Sequence, residues 1–408
     1  ARRLVLAAVF WLVDRLPGAD RTAAMVVSRG AGLDADTQHL LTRLPDRIET
    51  VYVAVDSADD LEALPEDIRE SIGLSELQVY EIDSLGFLRA LRNAGLVTLK
   101  RPTQLHGYRL FARRDVRTVV LIYHGIITKA YGTHADSGPS LSLYVRLKRT
   151  ARRLYGYAGL DVQSVASDVE RFFRSSGEQR HPARFRRYGY PRYDRIDELQ
   201  AGDAEPFLED DLESRLQTDG PNLLYAPTHK DGVYTTTLFP FEPFDSDELA
   251  SFLETHDARL FLRLHPSEEG SDAYNSLLDI DRVHYAGSRV APSPVELLPY
   301  IDVMVTDYSS IYVDFLPFDR PIVFLKDRHE AFETERGIAF DYARYFPGAT
   351  AESFDVFLEY LEAAFGDDDG YAADREFVRE VLLPERDHSS LEYLEFMLSD
   401  DKKELPAE

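Results

Sequence analysis

Asp302 to Leu325 reads DVMVTDYSSIYVDFLPFDRPIVFL. A short apolar run ends in Thr, Asp, Tyr and two Ser, a helical stretch opens at Ser309 and Ser310, and a second apolar run, PIVFL (321–325), follows. Strand, helical crossover and strand in so few residues predict two parallel strands of one sheet, because the crossover returns the chain to the same edge.

The same alternation continues outward. Upstream lie NLLYAPT (222–228), the helical DELASFLETH (247–256), the strand ARLFLRLHP (258–266) and the helical PVELLPY (294–300). An earlier series holds AAMVVS (23–28), helical TQHLLTRL (37–44), TVYVAV (50–55), LQVYEI (77–82), helical SLGFLRALRNAG (84–95), TVVLIYHG (118–125) and VQSVAS (162–167), with Asp168 as cap for the helix beginning VERFF. Apolar runs alternating with helices predict parallel α/β sheets, and TVVLIYHG is apolar on both faces, as a strand covered on both sides must be.

Between Asp194 and Pro221 an acidic, apolar-poor stretch containing AGDAEPFLEDDLE marks the connection between two such series. With 408 residues the chain is long enough for two cores. The expected fold is α/β, with two doubly wound Rossmann-like domains facing a cleft: residues 1–195, residues 196–375, and C-terminal helices in 376–408 packing back across both. Helical segments are expected from Ser353 to Phe365 and from Glu376 to Leu398.

Composition narrows the class. Cysteine is absent, which removes disulfides and thiolate metal sites and suits a reducing compartment. Of 46 basic residues only seven are Lys, against 72 Asp and Glu, for a net charge of -26. That balance excludes a nucleic-acid polymer as partner, since phosphate backbones are bound through basic surfaces. It suits a halophilic cytoplasm, where salt screens carboxylate repulsion; an ordinary acidic enzyme is the other reading.

No apolar run is long enough to span a bilayer. Residues 2–16, RRLVLAAVFWLVDRL, are interrupted by Asp14 and Arg15, lack a small-residue cleavage site and read as an amphipathic helix ended by Pro17 and Gly18. Such a helix lies in a membrane interface or packs on its own domain. The chain opens at Ala1 without Met, as a truncated or processed start would.

Parallel α/β sheets bind ligands outside the carboxyl ends of their strands. Four strand ends carry polar groups: His124-Gly125, Pro227-Thr228-His229-Lys230, Arg263-Leu264-His265-Pro266 and Thr306-Asp307-Tyr308-Ser309-Ser310. His124 is either a general base or a hydrogen-bonded core histidine, and Gly125 lets the backbone turn and a ligand approach. Ser309 and Ser310 either cradle an anion with free backbone N–H groups or cap the helix. Asp314, on that helix, is placed to accept from a substrate hydroxyl. Arg192 and Arg263, with His265, offer charge to a diphosphate. Walker, GxGxxG and HExxH patterns are missing, which leaves ATPase, dinucleotide and zincin readings without support. Asp245-Ser246-Asp247 precedes a helix and reads as a cap; no metal and no cofactor are expected.

In order, HGxxxK (His124 to Lys129), GYPRxD (Gly189 to Asp194), YAPT (Tyr225 to Thr228), RxHP (Arg263 to Pro266) and TDYSSxxxDF (Thr306 to Phe315) resemble the CDP-glycerol glycerophosphotransferases of teichoic-acid synthesis. The resemblance continues through RPIVFL (320–325), ERGIAFDY (335–342) and Pro347-Gly348, covering roughly residues 118–390. It implies a GT-B fold with the donor, CDP-glycerol or a related CDP-alcohol, on the second domain, and a lipid-linked or glycan acceptor at the first. It further implies His124 as base for in-line attack on the donor's β-phosphorus with loss of CMP. Arg192, Arg263, His265, Ser309 and Ser310 would stabilise charge, Pro227 and Thr228 line the nucleotide pocket, and Asp314 contact the glycerol-like portion.

The chain departs from the polymerases at Ile126-Ile127-Thr128, where they carry Thr-Pro-Leu, and at His229-Lys230, where they carry an aromatic residue and Arg. Two other functions stay open: a GT-B glycosyltransferase using a nucleotide sugar, and a non-catalytic nucleotide-binding component of a surface-polysaccharide complex. The expected location is cytoplasmic, with peripheral contact at the inner face of the membrane through residues 2–16.

Overall fold

The structure, a computed structural model, describes all residues except 1, 20, 29–33, 58, 63–65, 72, 114, 124, 127–156, 179, 182–183, 229–237, 265–268, 270, 326–344, 367–368 and 399–408. These separate into two compact units. The first takes the described residues up to Ile126, those from Tyr157 to Arg195 and those from Glu385 onward; the second runs from Ile196 to Pro384.

The first unit is built on seven parallel strands, β1 (Ala23–Val27), β2 (Val51–Val55), β3 (Gln78–Glu81), β4 (Ala94–Leu99), β5 (Thr118–Leu121), β6 (Val162–Ser164) and β7 (Phe185–Arg186), in the order 3-2-1-4-5-6-7. The second has six, β8 (Asn222–Tyr225), β9 (Arg259–Leu262), β10 (Val283–Tyr285), β11 (Val303–Thr306), β12 (Ile322–Leu325) and β13 (Ala349–Ala351), in the order 10-9-8-11-12-13. The strand order of each sheet therefore reverses beside the first strand in sequence, between β1 and β4 and between β8 and β11. Such a reversal splays the crossovers to opposite faces and leaves a crevice at the carboxyl ends. The central strands β1, β2, β4, β8, β11 and β12 are buried along their whole length, as helices on both faces require.

Some expectations are corrected. The helix read over 84–95 ends at Asn93, and β4 starts at the next residue with no turn between, so a strand central to the sheet is hidden inside an apparent helix. Gly95 is needed there because a Cβ would stand 2.0 Å from the carbonyl oxygen of Arg21. The helix Asp168–Glu178 is capped by Ser167, whose Oγ accepts from the N–H of Glu170, and not by Asp168. The two C-terminal helices fall in different units. The helix Ala372–Leu382 belongs to the second unit, held by Arg375 on Asp319 (2.9 Å) and Asp369 (2.6 Å), while Ser390–Leu398 packs on β4 of the first. Pro384, between them, cannot continue a helix.

The amphipathic helix Arg2–Val13 docks one face on the first unit. Ala7 and Phe10 are fully buried, Phe10 meeting the ring of Tyr108 edge-on at 6.0 Å. Burying one such Phe contributes about 1.5–3 kcal/mol. Asp14, just past the helix, is fully buried on Arg117 (3.0 Å) and accepts from the N–H of Arg113. Val5, Val9, Leu12 and Leu16 remain exposed on the outside.

Gly95→Ala forces the Arg21 carbonyl away from β4. The expected loss is about 1–3 kcal/mol, read as a lower urea midpoint at unchanged slope.

Candidate active site

In the second unit the sheet reversal between β8 and β11 brings YAPT and TDYSS together. The strands are joined beyond their ends: Ala226 N–H donates to the Val305 carbonyl (3.0 Å), the Thr306 hydroxyl to the Ala226 carbonyl (2.7 Å), and Thr228 N–H to Oδ1 of buried Asp307 (2.7 Å). The Thr228 hydroxyl is itself buried and meets no hydrogen-bond partner among the described residues. Pro227 beside it is half-buried.

Ser309 and Ser310 are half-buried at the far side of this crossing, and the helix Ile311–Phe315 starts directly after them. Ser310 occupies the cap position, yet its hydroxyl makes no cap hydrogen bond, so capping does not account for it. Asp314 is buried on the helix. Asp245, by contrast, caps as the sequence implied, accepting from the N–H groups of Asp247 (2.9 Å) and Glu248 (3.0 Å). Among the described residues no group of three or more acidic or histidine side chains is placed to hold a metal ion.

Arg263 has a different setting from the one expected. Its Nη1 donates to the carbonyls of Ala286 (2.9 Å) and Ala291 (2.7 Å), and burial lowers its guanidinium to about 10. The fork thus secures the loop after β10. Glu269 fixes the same loop from outside, accepting from Ser288 N–H (3.2 Å) and the Tyr285 hydroxyl (2.9 Å).

In the first unit the decisive side chains are ones the sequence reading passed over. Asp36 has no exposure; it accepts from Lys100 Nζ (2.5 Å), from Arg192 Nη2 (2.7 Å) and from the Arg192 backbone N–H (3.0 Å). Arg192, expected on a diphosphate, is thus clamped on a carboxylate. Burial alone would raise the Asp36 carboxyl; Arg192 and Lys100 more than offset it and hold it well below the ordinary range. A second buried group joins Arg174 Nε to Glu170 (2.8 Å), with the Tyr190 hydroxyl on the same carboxylate oxygen (2.7 Å). Both groups end at the carboxyl end of β5. Lys100 Nζ donates to the Tyr123 carbonyl (2.8 Å), and Arg174 Nη2 to the carbonyl of buried Gly125 (3.0 Å), whose φ of 134° favours glycine. His124 and His265 lie outside the described residues, as do Lys129, His229-Lys230 and ERGIAFDY.

Residues 10–395 match the family model of CDP-glycerol:poly(glycerophosphate) glycerophosphotransferases. The chain belongs to that family. Membership reaches far upstream of residue 118, where the motif resemblance began. The teichoic acid ribitol-phosphate polymerase TarK of Staphylococcus aureus is 26% identical over 178 residues, 43% of this chain and 33% of that one. The teichoic acid glycerol-phosphate primase of Bacillus spizizenii is 26% identical over 255 residues, 59% of each chain. The matches span about a third of the length of the ribitol-phosphate polymerases. Among solved structures, the wall teichoic acid polymerase TagF soaked with CDPG superposes with a TM-score of 0.75 at 16% identity, covering 98% of this chain and 94% of that one. A UDP-GlcNAc 2-epimerase from Neisseria meningitidis reaches 0.54 at 13% identity, covering 92% and 99%. The fold is GT-B-like, with two doubly wound α/β domains.

Two pH windows follow from the helix Ala35–Arg43. Burial, then Arg195 and Arg43, push His39 down from 6.5 to about 3, so its neutral form is favoured in the fold. Its contribution is complete above pH 6.5 and is lost as pH falls toward 3; His39→Gln is expected to flatten urea stability over that window. The Asp36 contribution is lost below the ordinary carboxylate value of 3.8. Asp36→Asn, which leaves Arg192 buried without its carboxylate and Lys100 with only the more exposed Asp34 at 3.1 Å, is expected to cost about 3–5 kcal/mol at neutral pH in the same assay.

Proposed function

We propose that this chain transfers an alditol phosphate, glycerol phosphate in the first instance, from a CDP-alcohol to an acceptor hydroxyl and releases CMP. Family membership over residues 10–395 is the observation that carries this reading. The meeting of YAPT and TDYSS at the reversal of the second sheet supports it. In this reading the second unit takes the donor: Pro227 borders the nucleotide, the Thr228 hydroxyl and the hydroxyls of Ser309 and Ser310 donate to phosphate oxygens, and Asp314 accepts from the alditol.

His124, with Gly125 leaving room for the acceptor, removes the hydroxyl proton as that oxygen attacks the β-phosphorus. The bond from this phosphorus to the bridging oxygen breaks, and CMP departs with the bond's electron pair. His265 lends positive charge to the phosphate oxygens during transfer, the step at which preorganised donors contribute most. Arg192 and Arg263 act by holding the backbone around the site, in keeping with their carboxylate and carbonyl partners.

The acceptor is a lipid-linked or surface-glycan hydroxyl. Residues 101–195 carry 19 Lys and Arg against 7 Asp and Glu in a chain of net charge -26, a local excess suited to an anionic acceptor or lipid surface. Among the described residues no helix is long and apolar enough to cross a membrane. We further propose that Val5, Val9, Leu12 and Leu16, with Arg3 and Arg15 beside them, rest on the cytoplasmic face of a membrane. The acidic remainder suits a salt-rich cytoplasm.

Purified protein incubated with CDP-glycerol, CDP-ribitol and nucleotide sugars, in low and high salt with acceptor, is expected to release CMP only. His124→Ala should lower the rate by about 10²–10⁴-fold, the usual contribution of a general base, and His265→Ala should lower it as well. Release of UDP or GDP instead makes the chain a glycosyltransferase, and nucleotide binding without turnover makes it a binding component. For the membrane contact, the wild type should float with phosphatidylglycerol vesicles, and Val5→Gln/Val9→Gln/Leu12→Gln should not. Removing the helix outright would withdraw Phe10 and Asp14 from the core and test folding instead.

A further inference from the structure

We propose that the Gly189–Asp194 segment is a brace that fixes the backbone on both sides of His124, and that Lys100 and Arg174, through which it acts, are positioning residues for that histidine. The inference rests on the reading of His124 as the base. The sheet ladder ends just before this residue: Ile122 N–H donates to the Leu99 carbonyl (2.7 Å), and β5 itself stops at Leu121. Past that point two carbonyls are held by cations. Lys100 Nζ takes the oxygen of Tyr123 and Arg174 Nη2 that of Gly125. These oxygens belong to the peptide planes before His124 and after Gly125. Each residue has two soft torsions, so only the four of His124 and Gly125 lie between the fixed planes.

Neither cation stands alone, because a buried charge is retained only if it is paired. Lys100 is paired with Asp36 and, at 3.1 Å, with Asp34, and Arg192 closes on the same Oδ2 of Asp36. Arg174 is paired with Glu170, and the Tyr190 hydroxyl closes on that carboxylate while lying 3.3 Å from Arg174 Nη2. Glu170 also accepts from Ala166 N–H (2.8 Å), and the Arg174 guanidinium stacks 4.2 Å from the Tyr123 ring. Tyr190 and Arg192, two residues apart in one motif, thus each reach one flank of His124 through a carboxylate and a cation. The segment is anchored in turn: Gly189 accepts from the Ser164 hydroxyl, and Asp194 accepts from Ser390 N–H (2.8 Å) and Arg386 Nη1 (2.5 Å). Charge-assisted bonds, roughly twice as strong as neutral ones, make the attachment stiff.

The test compares Lys100→Met and the milder Tyr190→Phe with wild type, by amide hydrogen exchange and by CMP release. Exchange at residues 122–126 should quicken by about tenfold or more, as local opening does, while residues 222–225 and 303–306 stay unchanged. CMP release should lose kcat at unchanged KM for the CDP-alcohol, and neither substitution should reduce the residual rate of His124→Ala further. Unchanged exchange at 122–126 in Tyr190→Phe, or losses that multiply with that of His124→Ala, would overturn the brace. If Lys100→Met does not fold, Tyr190→Phe alone decides. The exchange measurement needs no turnover, so a wild type that releases no CMP fails the functional reading without obscuring the brace.

Discussion

Asp36 is a carboxylate with no access to water, and a charge withdrawn that far is tolerated only when cations and N–H groups replace the solvent. Lys100 comes to it from the end of β4 and Arg192 from the start of the helix Pro191–Ala201, residues 64 and 156 positions away in sequence. Three separate pieces of the first unit are therefore held at one point, the carboxyl edge at the reversal of its sheet. Neutralising this one group ties the helix Ala35–Arg43, the end of β4 and the GYPRxD segment together.

The second unit solves the same topological problem differently. Its reversal is closed by a hydroxyl and a backbone donor, Thr306 on the Ala226 carbonyl and Thr228 N–H on the Asp307 carboxylate, with the Thr228 hydroxyl left over. Hydroxyls and half-buried serines stand at this edge, beside the buried carboxylates of Asp307 and Asp314. The ionic edge of the first unit holds backbone.

Much of the fold was legible because parallel sheets buried on both faces give short, continuous apolar runs, and TVVLIYHG, NLLYAPT and DVMVTDYSS each hold a strand of four residues. The strand β4 was not, since no turn residue separates it from the preceding helix, and β7, β10 and β13 have only two or three residues each. Pro227, Thr228, Ser309 and Ser310 were singled out by their place at strand ends, and the structure brings their two motifs together at the reversal of the second sheet. Lys100 could have been found the same way, as one of seven lysines closing an apolar run; Glu170 and Arg174 carried only an i, i+4 spacing that surface pairs share.

Local pattern was enough to specify two doubly wound sheets and the strand ends where chemistry belongs, because side-chain periodicity and turn residues act over a few positions. The partners of the charged residues were settled by folding alone. Arg192 and Arg263 looked alike in the sequence, as cations awaiting a phosphate, yet one closed on Asp36 and the other on the carbonyls of Ala286 and Ala291. A guanidinium accepts any acceptor of suitable geometry, and which acceptor it meets depends on contacts between segments far apart in the chain.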